Sequence, residues 1–321
     1  MNAKGSERLV LPSKPVAVSL LFVALILFLF SSLACTPAKE PPPPPAPEEY
    51  TRTLLIGLIP EQNVFKQMER YEPLAKYISR KTGIGLQLEI LSRYGNIINN
   101  FQSLGLDGAF FGSFTYALAH KRIHVETAVR PESPAGVSSY YGMIFVRKDS
   151  GISSIEQMKG KRFVFVDKAT TAGYLLPLKY FKENGIEDYK QYLSETYFTG
   201  THEDAILDVL NKRADIGAAK DTVFNRLARS NPKILDELTI LTRSPDVPEN
   251  ALAFRSDLDP HIRSLLKKAF LGMAQDPEGI RVLKDFGAAR FIETTNEDYR
   301  PVFEYAESAG IDLATYDWMN E

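Results

Sequence analysis

The sequence predicts an α/β fold of two lobes, and three observations predict it. From Thr53 onward, short apolar runs alternate with amphipathic stretches of helical period. A helix-turn-strand unit occurs twice, aligning Asn99-Asn100-Phe101-Gln102-Ser103-Leu104-Gly105-Leu106-Asp107-Gly108-Ala109 with Asp208-Val209-Leu210-Asn211-Lys212-Arg213-Ala214-Asp215-Ile216-Gly217-Ala218. Two extended runs, 140–146 entered from Ser138-Ser139, and 249–254, can carry the chain from one lobe to the other and back. Such a double crossing leaves a cleft, and ligand belongs where helix N-termini face it.

The N-terminus precedes this fold. Lys4, Arg8 and Lys14 lead into an uncharged run, 16–30, followed by Ser31-Ser32-Leu33-Ala34-Cys35. These are the n-region, h-region and small-residue junction of an export signal. Cys35 is the only cysteine of 321 residues, which excludes an internal disulfide and a cysteine-built metal site. Its place directly after the h-region resembles a bacterial lipobox, whose cysteine is lipidated and becomes the first residue. Ala34 suits that motif; Ser32 and Leu33 depart from its aliphatic and small positions. The competing reading is an uncleaved signal anchor, because the h-region approaches the roughly 20 residues of a spanning helix. Either way the protein is exported and membrane-anchored, facing the periplasm or the cell exterior. The proline-rich stretch after Cys35 is an extended spacer. The expected division is therefore a signal peptide over 1–35, a linker over 36–52, lobe 1 over 53–142 plus 246–321, and lobe 2 over 143–245. The formal charge is −2, with no basic run or aromatic-basic interleaving, which excludes nucleic acid as a partner.

Within the folded part, 53–59 reads as a strand. Phe65, Met68, Leu74, Ala75 and Ile78 fall at helical spacing up to Lys81, and Gly83 is placed to stop that helix. A strand over 85–90 and a helix over 96–104 follow. The run 163–166 reads as a covered strand ended by Asp167 and Lys168. Thr170 and Thr171 then supply hydroxyls, and Gly173 permits close backbone approach before Tyr174-Leu175-Leu176. Unpaired N–H groups and the helix dipole favour an oxyanion there, although a threonine at a helix start is also simply a cap. Thr201 and Asp204 have capping-box-like spacing, which puts His202 at a helix start. Lys220 ends a small-residue strand beside Asp221, and its cation favours an anionic ligand. His120 and His124 have the spacing of a helical metal pair but no acidic third ligand, so no metal is expected. No Gly-x-Ser-x-Gly, His-Glu-x-x-His or Walker pattern occurs, so neither catalysis nor a cofactor is expected.

Five further motifs recur in a familiar order: Glu72-Pro73-Leu74-Ala75-Lys76-Tyr77-Ile78; Phe111-Gly112-Ser113 with Tyr116-Ala117-Leu118-Ala119-His120-Lys121; Val146-Arg147-Lys148-Asp149-Ser150-Gly151-Ile152; Gly160-Lys161-Arg162-Phe163; and Gly173-Tyr174-Leu175-Leu176-Pro177. They resemble the phosphonate/phosphite-binding proteins of ABC importers, the PhnD-like branch of type II periplasmic binding proteins, over about residues 53–310. The resemblance implies a bilobal type II periplasmic-binding-protein fold with two hinge crossovers. It implies an oxyanion on a Ser-Thr-Ser-Gly turn, matched here by Thr170-Thr171-Ala172-Gly173, with Ala172 lacking the third hydroxyl. It further implies cleft roles for Tyr94, Tyr116, His202 and Asp221. The expected function is a solute-binding lipoprotein, not an enzyme, that closes its lobes over a small phosphorus oxyanion and delivers it to an ABC permease and its ATPase. The alternatives are a ligand-binding partner of a membrane kinase or chemoreceptor, a binding protein for a different small anion, and, lowest, an exported enzyme using His202 or Lys220.

Overall fold

The structure, a computed structural model, describes residues 50–320. The export-signal and lipobox readings at 1–35, and the spacer to residue 49, lie outside the described residues. Among the described residues no helix is long and apolar enough to cross a membrane. In chain order the strands are β1 (Arg52–Leu58), β2 (Ile84–Ile90), β3 (Gly108–Phe111), β4 (Val125–Glu132), β5 (Ser139–Tyr140), β6 (Gly142–Arg147) and β7 (Arg162–Phe165). There follow β8 (Glu195–Phe198), β9 (Ile216–Lys220), β10 (Leu238–Arg243), β11 (Val247–Pro248), β12 (Ala251–Arg255) and β13 (Arg290–Glu293).

These strands build two mixed sheets, ordered β13-β4-β12-β3-β1-β2 and β10-β6-β9-β7-β8. The two share one plan. In the first, β3 lies between parallel β1 and antiparallel β12; in the second, β9 lies between parallel β7 and antiparallel β6. The repeated units of the sequence end in β3 and β9, so they occupy equivalent places. Their shared aspartates play the same part, Asp107 Oδ2 accepting from Leu55 N at 3.0 Å and Asp215 Oδ2 from Arg162 N at 2.9 Å. Each carboxylate satisfies a backbone donor of the neighbouring strand. The shared glycines are also structural, since a Cβ on Gly108 would lie 2.6 Å from the Phe254 ring and one on Gly217 2.8 Å from Val209 Cγ2.

Strands covered on both faces read as nearly continuous apolar runs, as in β1 and β7. The helix Val64–Thr82 starts where Asn63 Oδ1 accepts from the N–H groups of Phe65 and Lys66, and stops at Gly83 with φ of 70°. It lays Tyr71, Leu74 and Ile78 on Leu54, Ile56 and Leu58 of β1. The second sheet has its own outer core of Ile144, Val146, Phe163, Phe165 and Phe181. A third core is continuous from Phe111 and Phe114 on the first sheet's side to Val164, Val166 and Leu175 on the second's. Full burial of each such side chain contributes about 1.5–3 kcal/mol. The two crossings pair with each other, β5 antiparallel to β11, with Tyr140 opposite Val247.

Candidate ligand site

The turn after β7 is held from within. Asp167 Oδ1 accepts from Ala169 N at 2.8 Å, and Thr170 Oγ1 donates to Asp167 O at 2.6 Å. The helix then opens in π geometry over Thr171–Leu175, with Leu175 N donating to Thr170 O at 3.1 Å. That leaves the N–H groups of Thr171, Ala172 and Gly173 ahead of the first bonded donor. Thr171 Oγ1 accepts from Phe114 N at 3.0 Å and so joins this turn to the helix Ser113–Ile123 of the first sheet. The close backbone approach read at Gly173 is made to Val166, whose Cβ would lie 2.4 Å from an added Cβ.

Four helix starts converge on one small cavity. Gly112, Thr170 and Lys220, each the residue before a helix, line it together with His202, the first residue of the helix His202–Leu210. Their dipoles place partial positive charge at the cavity. His202 is buried, and burial pushes its pKa down to about 3, so its imidazole is neutral at ordinary pH. Its Nδ1 accepts from Lys220 N at 3.3 Å, which leaves the Nε2 proton as a donor. Tyr94 packs edge-on to that ring at 5.8 Å, and its hydroxyl is buried with no partner among the described residues. Burial holds the Tyr94 hydroxyl protonated, far above the usual tyrosine range.

The opposite wall is ionic. Lys220 Nζ donates to Glu61 Oε1 at 3.1 Å, to Asn250 Oδ1 at 3.0 Å and to Glu249 Oε1, and lies 4.3 Å from the centre of the Tyr140 ring. Asn250 Nδ2 donates to Glu61 Oε1 at 2.9 Å. Burial alone would raise the Glu61 pKa, yet Lys220, with Arg226, pulls it down to about 2. Burial alone would neutralise Lys220, and Glu249 and Glu61 outweigh it. The sequence suggests that Lys220 attracts an anion; instead two carboxylates offset it, because a buried ammonium must be paired. Sequence reasoning misses Glu61, Glu249, Asn250 and Tyr140. The one signal for Glu61 is its place just beyond the carboxyl end of β1, where α/β sheets bind ligands.

A profile of the family described as "ABC transporter, phosphonate, periplasmic substrate-binding protein" matches residues 56–299. The chain belongs to that family. It is 24% identical over 266 residues to the phosphonates-binding periplasmic protein of Escherichia coli K12, covering 81% of this chain and 77% of that one. It is 26% identical over 271 residues to the phosphate-import protein PhnD of Mycolicibacterium smegmatis, covering 81% of each. Among solved structures, the binding-protein component of an ABC phosphonate transporter from Pseudomonas aeruginosa superposes with a TM-score of 0.76 at 25% identity, over 81% of this chain and 87% of that one. PhnD1 of Prochlorococcus marinus, solved with methylphosphonate, shares the fold with a TM-score of 0.71 at 21% identity, over 80% of this chain and 98% of that one. Membership carries the type II periplasmic-binding-protein fold, an extracytoplasmic location, a small ligand, and an ABC permease with its ATPase as partners.

Of the residues singled out in the sequence, Tyr94, Thr170, Thr171, Ala172, His202 and Lys220 line the one cavity. Tyr116 and Asp221 are not among its lining residues. Tyr116 is fully buried, its hydroxyl donating to Asn296 Oδ1 at 3.1 Å and its ring 4.6 Å from that of Tyr299. Asp221 Oδ1 accepts from Tyr141 N at 3.1 Å, and the residue lines a separate, larger cavity; burial raises its pKa to about 6. His120 Nδ1 pairs with Val125 O at 2.9 Å and His124 ends its helix with φ of 54°; among the described residues they belong to no group of three metal-ligating side chains.

Proposed function

We propose that this family member captures a small phosphorus oxyanion, namely phosphonate, phosphite or phosphate, in the cavity between the two sheets and hands it to an ABC permease. The observation that carries this reading is the Tyr94 hydroxyl, buried without a partner among the described residues, on a side chain that lines a cavity ringed by helix starts. A buried hydroxyl without a partner costs about 1–3 kcal/mol, which a ligand oxygen would recover. Beside it stand the Nε2–H of His202 and the N–H groups that open the helix at Thr171. Tyr116 and Asp221 have no direct part in this reading.

Lobes with boundaries at 53–142 plus 246–321 and at 143–245 would have to move for this to work. The cavity has room for about one water centre, at about 10 Å³, which is too little for a tetrahedral ion. Direct bonds such as Thr115 Oγ1 to Ala169 O at 2.8 Å and Asn63 N to Glu203 Oε2 at 2.8 Å already join the two sides. Ligand entry therefore parts the lobes, and the liganded closed form is what the permease recognises. Lipidation at Cys35 would hold the protein at the membrane. Calorimetry of the full chain against methylphosphonate, phosphite and phosphate tests the ligand; absence of binding to all three would overturn it. Metabolic labelling with a fatty acid, lost in Cys35→Ser, tests the anchor.

A further inference from the structure

A second cavity of about 370 Å³ lies beside the Lys220 cluster and shares Glu61 and Asn250 with the smaller one; it is lined by residues of the first sheet and its helices, of the helix Asp221–Ser230 and of the crossing segments. Its volume falls within the range of small-molecule sites. Two arginines line it, one from each side. Arg70, on the helix Val64–Thr82, spends Nε and Nη2 on Phe286 O at 3.2 and 2.9 Å and is flanked by the rings of Tyr71 and Phe286. Its Nη1 is buried with no partner among the described residues. Arg226, on the helix Asp221–Ser230, donates one Nη1 bond to Gln62 Oε1 at 2.7 Å. Among the described residues neither guanidinium forms an ion pair. The two repel, and burial together with Arg70 pulls the Arg226 pKa down against the opposing pull of Glu61 and Glu249. A third group is also unsatisfied among the described residues: Thr222 Oγ1, in the first turn of the Arg226 helix, is buried without a partner there. Carboxylates line the same space, but Glu61 and Glu249 give an oxygen to Lys220, and Asp221 accepts from Tyr141 N.

We propose that this cavity is a second anion site, in which a small oxyanion sits between Arg70 and Arg226 and accepts from Thr222. Planar guanidinium forks with free donors match carboxylate, sulfate and phosphate geometry. Because the two arginines belong to opposite sides of the cleft, an anion between them holds the sides together. By linkage it tightens the first site by the same factor that the first ligand tightens it. The second site stands on its own residues and does not depend on what the smaller cavity takes.

Inorganic sulfate is the probe, with malonate as the carboxylate arm, titrated into the full chain by calorimetry. Removing one charge-assisted bond costs about 1.5–3 kcal/mol, so Arg226→Gln is expected to weaken sulfate at least about tenfold. Thr222→Val, which removes a smaller group and leaves both charges, is expected to weaken it severalfold, and Lys267→Gln, which removes a cation paired with Glu293 away from both cavities, to leave it within about twofold. Thermal unfolding of each variant shows whether it is folded, and Thr222→Val decides the matter should Arg226→Gln not fold. Crystals soaked in selenate should show an anomalous peak between Arg70 and Arg226. Tighter binding of malonate than sulfate assigns a carboxylate, and the reverse a tetrahedral anion. The proposal is overturned if neither anion binds, if Arg226→Gln and Thr222→Val both keep wild-type affinity, or if selenate appears as an adventitious ion only.

Discussion

The two walls of the smaller cavity are both polar and both buried, but they are built on different physics. The wall of Thr170, Thr171, Ala172 and His202 contains no net charge: it offers N–H groups, hydroxyls and a neutral imidazole. The wall of Glu61, Lys220 and Asn250, with Glu249 behind it, is ionic and already satisfied. Dipoles held by helix geometry stay unspent until a ligand arrives, whereas a buried ion cannot wait unpaired. The proposed oxyanion site therefore rests on the uncharged wall, and in that reading the charged wall sets the conditions under which an anion is accepted. With His202 neutral, one ammonium faces two carboxylates, so the cluster carries a formal charge of −1 against any anion.

The sharpest way to break this contrast is to remove the ammonium. Lys220→Met leaves Glu61 and Glu249 buried without their cation, and is expected to cost about 3–5 kcal/mol of stability in denaturant unfolding. Adding Glu61→Gln should restore part of that loss. A cost below about 1 kcal/mol would mean that the cluster is hydrated and not a buried ionic wall.

Acid separates the walls next. His202 refuses a proton in the folded state down to about pH 3, whereas the unfolded chain takes one near 6.5. A lowered histidine pKa means stability present above 6.5 and lost as pH falls from there toward 3, by about 1.4 kcal/mol per unit. Asp221, raised from 3.8 to about 6, acts with the opposite sign between those values, and Glu61, lowered from 4.5 to about 2, withdraws stability only below 4.5. The advantage of wild type over His202→Asn should therefore shrink between pH 6.5 and 4.5, since Asp221 and Glu61 cancel in the difference. Parallel stability curves for the two proteins would show that His202 titrates normally.

The uncharged wall was far more legible in the sequence than the ionic one. A strand, a polar turn and a helix start are local, and their residues are consecutive from Phe163 to Leu176. Thr201 acts as the cap its spacing suggests, accepting from Asp204 N at 3.0 Å. The ionic wall joins Glu61, Lys220 and Glu249, which meet only because the crossings fold β11 against β5 and bring three distant segments together. No periodicity records such a meeting. Tyr116 illustrates the converse: its motif locates its helix, but which face of that helix turns inward depends on packing against Tyr299.

Relieving the excess negative charge should tighten an anion. Glu61→Gln keeps a carbonyl oxygen for Lys220 and Asn250 while removing one buried charge, and is expected to improve affinity for methylphosphonate about tenfold, and less as salt rises. Unchanged affinity would show that the ionic wall is too well compensated to be felt.

The smallest expected effect bears on the uncharged wall itself. Ala172 is 1% exposed and lines the cavity, and a Cβ on Gly142 would lie 3.0 Å from its Cβ. Gly142 thus supplies the space beside residue 172, and a serine there can turn its hydroxyl toward the cavity instead of the crossing. A net hydrogen bond contributes about 0.5–1.5 kcal/mol, so Ala172→Ser should tighten methylphosphonate about threefold to tenfold at little cost in stability. If that hydroxyl instead weakens binding while Glu61→Gln strengthens it, the oxyanion rests against Lys220, and the roles assigned to the two walls are reversed.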